Sequence, residues 1–318
     1  MLDQLRGFHI EPTNMCTLKC PRCPRTTFIE KFKPKNWDNQ NLNLDHLKTF
    51  LDIDISGLPF ALNGNYGDPI YYPKIFDLIT YIKSNQGKII LHTNGSYQKI
   101  DWWRKLAGLL DENDIVNFSI DGIPDNFTQY RINADWSSIK QGIDVLVKSP
   151  AKIVWKYIVF SYNEKNIEKA KLLSQQLGMD EFVLNNSDRW IDNDWLKPEK
   201  YVNIIDDSET GILFNGSHIG GRDTTIIQWK EQNMRNHDID PLCKKNNAMH
   251  FISAWGYYMP CCWIGDYMFY YKSEFYKNKD SYDISKTTIS ELLNKLQNYY
   301  STLEQTKPEY CTFNCPKL

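Results

Sequence analysis

The chain has 318 residues, with 37 Lys and Arg against 39 Asp and Glu, a formal net charge of −2. That balance provides no overall field for holding nucleic acid or an anionic membrane. Hydrophobic residues make up 42% and aromatics 14%, which excludes disorder for most of the chain and, at this length, points to about two domains.

The opening segment MLDQLRGFHIEP has no apolar run of the kind a signal peptide needs, and no stretch of about 18 apolar residues occurs anywhere. A cytoplasmic protein is expected, with neither membrane nor nucleic acid as partner. In that compartment the 8 cysteines serve as thiols rather than as a disulfide framework.

Taken in chain order, six β-like runs alternate with helix-period runs. The strand candidates are 7–11, 59–63, 88–92, 115–120, 152–160 and 181–185. Between them, Leu44, Leu47, Phe50 and Leu51 share a helical face, as do Ile75, Leu78, Ile79 and Ile82. Further stripes are Trp103, Leu106 and Leu110, then Ile139, Ile143 and Leu146, then Ile167, Ala170, Leu173 and Leu177. Pro73 suits a first helical turn and Gly178 the position just past a helix end. Six strands alternating with helices read as βα units around a parallel sheet, either open and doubly wound or curled into a full or partial barrel.

Residues 186–240 are polar, rich in Asn and Asp, and read as a bridge with at most short elements. Order returns with AMHFISAWGYYMPCC, a hairpin turning near Gly256. A helix follows from about Ile289 to Tyr300, with Leu292, Leu293, Leu296 and Tyr300 on one stripe.

Cysteine placement carries the chemistry. Cys16, Cys20 and Cys23 form a Cys-x3-Cys-x2-Cys array directly after the first strand. Three close thiolates suit a soft metal centre, zinc or iron–sulfur. Structural zinc sites usually have four ligands. Three ligands on a four-iron cube instead leave one iron open for a substrate or cofactor.

This array resembles that of the radical SAM superfamily, whose members carry it in the first βα loop. Many relatives have an aromatic residue where this chain has Arg22. The resemblance implies a partial (βα)6 TIM-like barrel that binds S-adenosylmethionine (SAM) at a 4Fe-4S cluster on Cys16, Cys20 and Cys23. Other motifs follow in the family's order. Tyr66-Gly67-Asp68 is similar to the Gly-Gly-Glu motif that contacts the SAM amino group, with glycine admitting close backbone approach. Thr93 and Asn94 in HTNGS resemble a Thr-Asn-Gly ending. Ser119 and Arg131 match the hydroxyl and basic residues that meet the ribose or methionyl part. Lys156 is a further candidate for the carboxylate partner, with a solvated or salt-bridged lysine as the alternative, while Asp121-Gly122 reads as turn-building.

The remaining cysteines are Cys243, Cys261, Cys262, Cys311 and Cys315. Twelve residues separate Cys243 from Gly256 and four separate Gly256 from Cys261, which resembles the opening of the SPASM/Twitch extension. Too few thiols remain for two more clusters. The shorter Twitch form is therefore implied, with a second auxiliary 4Fe-4S cluster on Cys243, Cys261, Cys311 and Cys315. Cys262 is left over, or replaces Cys261, since spacing does not separate adjacent thiols. A four-thiolate zinc site is the alternative for this set.

The implied organisation is a barrel over 1–185, a bridge over 186–235 and a small α+β Twitch domain over 236–318. The implied activity is reductive cleavage of SAM and hydrogen abstraction from a peptide side chain or small metabolite, for net oxidation or another modification. A one-electron reductant such as flavodoxin or ferredoxin would serve it. Because the chain starts at the barrel, any peptide-recognition protein is expected to be separate. A non-catalytic zinc or iron–sulfur binding module is the alternative from a different class.

Overall fold

The computed structural model describes residues 5–32, 38–185, 187, 194–199, 238–241, 243 and 249–315. All six expected strands form within it: β1 (Phe8–Ile10), β2 (Pro59–Leu62), β3 (Lys88–Thr93), β4 (Ile115–Ser119), β5 (Lys152–Ile158) and β6 (Glu181–Asn185). They pair in parallel as sequential neighbours, β6-β5-β4-β3-β2-β1. The order never reverses among these six, so right-handed crossovers put their helices on one face and the sheet curls around the other. That decides between the two α/β readings: this is the partial barrel, open at its edges.

Strand alternation divides the two faces. Phe8, Phe60 and Ile89 lie side by side in register, as do Ile10, Leu62, Leu91 and Val116. These join Trp155, Tyr157 and the helix stripes in one continuous apolar core. The opposite rows carry His9, His92 beside Asn117, Ser119 beside Lys156, and Ile158 beside Asn185. One face therefore holds the fold together and the other is left for chemistry.

The crossover helices are α1 (Pro24–Phe32), α2 (Leu44–Phe50), α3 (Ile75–Ser84), α4 (Ile100–Ala107), α5 (Trp136–Leu146) and α6 (Ile167–Gln176). On α3 the buried residues are Ile75, Leu78, Ile79 and Ile82, the expected stripe. Gly178 follows the Leu177 cap of α6 with φ +76, a left-handed value that glycine adopts without strain. Pro73 lies outside its helix, one residue before the Lys74 cap of α3.

The C-terminal hairpin does not build a sheet of its own. Strand β7 (His250–Ile252) runs parallel to β1, and β8 (Tyr258–Met259) is antiparallel to β7, extending the same sheet to eight strands. Gly256 makes the turn at φ +79. The last long helix spans Ile289–Thr306, six residues beyond its expected end. Thr288 and Glu291 cap its start reciprocally, and no glycine or proline interrupts it before Pro308. Most of the expected 186–235 bridge lies outside the described residues. No helix among the described residues is long and apolar enough to cross a membrane.

His250 is buried on β7, with Nδ1 hydrogen-bonded to the Tyr258 hydroxyl. Burial pushes its pKa down to about 4 from 6.5. Above pH 6.5 the imidazole is neutral folded or unfolded. As pH falls from there toward 4, the unfolded chain gains a proton that the folded chain does not, so stability is lost. This contribution is on the order of 3 kcal/mol across that window. Urea unfolding as a function of pH should therefore show a shallower acid loss for His250→Gln than for the wild type; equal slopes would refute the assignment.

Candidate active site

The loop after β1 is stitched to its surroundings from both sides. The Asn14 amide donates to the Asp38 carbonyl (3.1 Å), while its oxygen accepts from the Gln40 amide (2.7 Å). The Asp68 amide donates to the Met15 carbonyl at 2.8 Å, and the Lys19 amide to the Ile132 carbonyl at 3.1 Å. Within this frame Cys16 Sγ accepts from the Leu18 amide (3.4 Å) and Asn94 Nδ2 (3.7 Å). Cys23 directly precedes Pro24, the first residue of α1, so the thiol stands at the positive end of a helix. Arg22, the departure from the family pattern, is left-handed at φ +63 and its Nε reaches the buried Asp194 Oδ2 at 2.7 Å.

The strand ends supply three buried carboxylates. Asp68 Oδ2 accepts from Asn94 N and Nδ2 (both 2.6 Å) and from Thr93 Oγ1 (3.2 Å), while Oδ1 caps the turn at Ile70 N (3.2 Å). Thr93 and Asn94 are thus braced on Asp68, and Asn94 carries the brace on to Cys16. Burial pushes Asp68 up to about 6 against these donors.

Asp121 does more than build a turn. It accepts from Arg131 Nε at 2.6 Å and from Ile158 N at 2.8 Å, fixing the guanidinium at the cavity wall. Burial would lower the Arg131 pKa, but Asp121 outweighs it and keeps the side chain charged.

Glu11 was not anticipated. It is fully buried just past β1, and Oε1 accepts from Tyr66 N (2.7 Å) and Gly67 N (3.3 Å). Burial pushes it up to about 7, with the amides of Tyr66, Gly67, Ala254 and Asn65 drawing it part of the way back. The available signal was alternation: in FHIE the polar His9 and Glu11 share the face opposite the core.

Gly67 is needed for a reason other than ligand approach. A Cβ there would lie 1.9 Å from the Thr13 carbonyl oxygen, so the glycine lets the β2 loop close on the cysteine loop.

These pieces meet in one cavity of about 240 Å³. Its lining includes Cys16, Cys20, Cys23, Tyr66, Gly67, Asp68, Thr93, Asn94, Ser119, Arg131 and Lys156, every residue expected at the first cluster and SAM site. Burial pushes Cys16 up to about 12, with Asp68 and Cys23 adding to it and Arg25 opposing. Cys20 is raised by burial as well, with Arg131 opposing. No three His, Cys, Asp or Glu side chains among the described residues converge on a single metal ion. A cluster of several irons is wider than one ion, and three mutually interacting thiols with two arginines near them fit such an anionic group.

The C-terminal cysteines lie close enough to influence one another. Cys311 feels Cys261, Cys315 and Cys243, and its thiol is raised chiefly by burial. Cys261 is pushed up to about 12 by burial and then by Cys315. Cys262 is 2% exposed and packed in the apolar core, its carbonyl accepting from Asn65 Nδ2 at 2.9 Å.

A curled parallel sheet with a three-thiol loop at its carboxyl end defines the class. Residues 10–173, more than half of the chain, match the radical SAM superfamily, and the chain belongs to it. Membership implies a 4Fe-4S cluster and SAM. Over 124 residues the chain is 26% identical to the tungsten-containing aldehyde ferredoxin oxidoreductase cofactor-modifying protein of Pyrococcus furiosus. That match covers 38% of this chain and 32% of the relative, so the chain spans about a third of that protein's length.

Among solved structures, histidine-tagged anSMEcpe with bound AdoMet gives a TM-score of 0.59 at 15% identity, over 97% of this chain and 85% of that one. Streptococcus suis SuiB bound to S-adenosylmethionine gives 0.53 at 13% identity, over 88% and 66%. At such identities the likeness is one of fold.

Gly67→Ala should disrupt this arrangement, because either the β2 loop or the cysteine loop must move. A loss of about 1–3 kcal/mol in stability is expected, together with reduced iron uptake by the Cys16 set. Thermal melting and iron analysis after anaerobic reconstitution check both.

Proposed function

We propose that this protein is a radical SAM enzyme whose Cys16, Cys20 and Cys23 hold the SAM-binding 4Fe-4S cluster, and that it removes a hydrogen atom from a peptide side chain or a small metabolite in a net oxidation. One observation carries the reading: the three thiols and all eight expected SAM-contacting residues line the same cavity. The cluster supplies, when bound, the single electron that cleaves SAM. The remaining contributions come from this chain's own side chains. Cys16 is oriented by the Leu18 and Asn94 amides. Arg131, held by Asp121, presents a fixed cation suited to the methionyl carboxylate. Ser119 and Lys156, neighbours across β4 and β5, offer polar contacts deeper in the barrel.

Cys243, Cys261, Cys311 and Cys315 are read as holding the auxiliary cluster of a Twitch-type region over 236–318, joined to the 1–185 barrel by the 186–235 bridge. The electrostatic influence of Cys243, Cys261 and Cys315 on Cys311 supports this grouping, and Cys262 is left out on the four-ligand count. A flavodoxin or ferredoxin is the proposed reductant, and a separate peptide-recognition protein is a further proposed partner.

Anaerobically reconstituted protein should carry on the order of 8 irons per chain, and with dithionite should convert SAM to 5′-deoxyadenosine. Protein that loads zinc with only traces of iron would overturn the reading in favour of a binding module.

Changing Cys16, Cys20 and Cys23 together to Ala should abolish 5′-deoxyadenosine and remove about half the iron. Cys262→Ala should leave the iron content intact. Half the iron lost in Cys262→Ala but none in Cys261→Ala would move the ligand assignment by one position.

A further inference from the structure

Tyr66 lines the proposed SAM cavity on one side and a second cavity of about 230 Å³ on the other. The walls of the second are aromatic: Phe28, Tyr66, Trp255, Tyr270, Tyr271 and Tyr276. The rings form a continuous surface. Trp255 stands edge-on to Tyr66 at 5.7 Å, Tyr271 stacks on Phe28 at 6.3 Å, and Tyr276 meets Tyr271 at 5.1 Å. Inner and outer ends differ. Tyr66 is 8% exposed, whereas Trp255 and Tyr271 are 42% and 50% exposed, so the wall opens to solvent. Large exposed aromatics clustered at the mouth of a cavity mark a binding surface more readily than a packing one.

At the buried end lies Glu11. Its Oε1 is used by the Tyr66 and Gly67 amides, but Oε2 has no hydrogen bond of normal geometry. A buried carboxylate oxygen without a partner is costly, and a donor entering the cavity would relieve that cost. Asp266 adds a second negative influence, since both it and Glu11 bear on the Tyr66 hydroxyl. An anionic group offers Oε2 no donor, and a purely apolar one leaves it unsatisfied. A cation gains from both elements, from the carboxylate by charge-assisted hydrogen bonding and from the ring faces by cation–π attraction. The rim already holds one cation this way, Lys279 Nζ lying 5.6 Å from the centroid of the Tyr276 ring.

We propose that this aromatic cavity is the substrate pocket and that it selects a substrate bearing a protonated amine or a guanidine, with Glu11 Oε2 as the partner of that group. The inference rests on the radical SAM reading, because the shared Tyr66 wall is what sets the captured group beside the proposed SAM cavity.

The test titrates butylammonium and propylguanidinium, against 1-butanol as the neutral isostere of butylammonium, into reconstituted protein holding SAM, followed by calorimetry. Wild-type protein should bind the cations at least about tenfold more tightly than the alcohol. Glu11→Gln keeps an oxygen acceptor for the Tyr66 and Gly67 amides; it should lose that preference while binding the alcohol unchanged. Trp255→Leu, altered at the exposed rim, should weaken the cations by a smaller factor and so gives a reading if Glu11→Gln fails to fold. Equal binding of cation and alcohol by wild type, or an unchanged preference in Glu11→Gln, overturns the proposal. Substrate-free 5′-deoxyadenosine formation by the same wild-type sample separates the two readings. If it forms while the cations show no preference, only the pocket assignment fails; if it does not form, the radical SAM reading fails first.

Discussion

Buried carboxylates at the ends of strands are the constraint on which this site depends. Glu11, Asp68 and Asp121 lie just past β1 and β4 and in the loop after β2, each with little or no exposed surface. Removing a carboxylate from water costs several kcal/mol unless hydrogen bonds replace the lost solvation. Here the replacements are backbone amides and fixed side chains from neighbouring loops: Tyr66 and Gly67 for Glu11, Asn94 and Ile70 for Asp68, Ile158 and Arg131 for Asp121. Each carboxylate joins two segments distant in sequence, so the loops at the carboxyl end of the sheet are held as one body.

The cysteine loop inherits its shape from that network. Asp68 donates its amide to Met15 and accepts from Asn94, whose side chain also reaches Cys16. Gly67 allows the close approach, because any side chain there would occupy the position of the Thr13 carbonyl. The result is that the Cys16 and Cys20 thiols are raised by burial, yet Cys16 is faced by Arg25 and Cys20 by Arg131. Metal-ligating thiols must lose their protons, and the two arginines favour the anionic form that this leaves.

The turn after β2 also links the two cysteine regions. Asn65 donates to the Cys262 carbonyl at 2.9 Å, and the Tyr66 hydroxyl to the Gly265 carbonyl at 3.2 Å. With β7 paired to β1, the C-terminal hairpin is bound to the barrel by sheet hydrogen bonds as well as side chains. Both cavities therefore share a wall made by one short turn.

Local pattern in the chain was sufficient for the six strands and the helix stripes. Periodicity follows from which face of each element is covered, and that face is apolar wherever the core lies. Glycine and capping signals worked where their cause was local, as at Gly178 and Gly256, and faltered at Pro73, where the turn before the helix could take it equally well. What the chain could not show is which distant groups meet. The role of Asp121 as the anchor of Arg131, the burial of Glu11 against the Tyr66-Gly67 amides, the Thr13 contact that demands Gly67, and the pairing of β7 with β1 all join separated segments. Hydrogen bonding and burial at such positions come from packing rather than from spacing along the chain, and for that reason only the tertiary structure decided them.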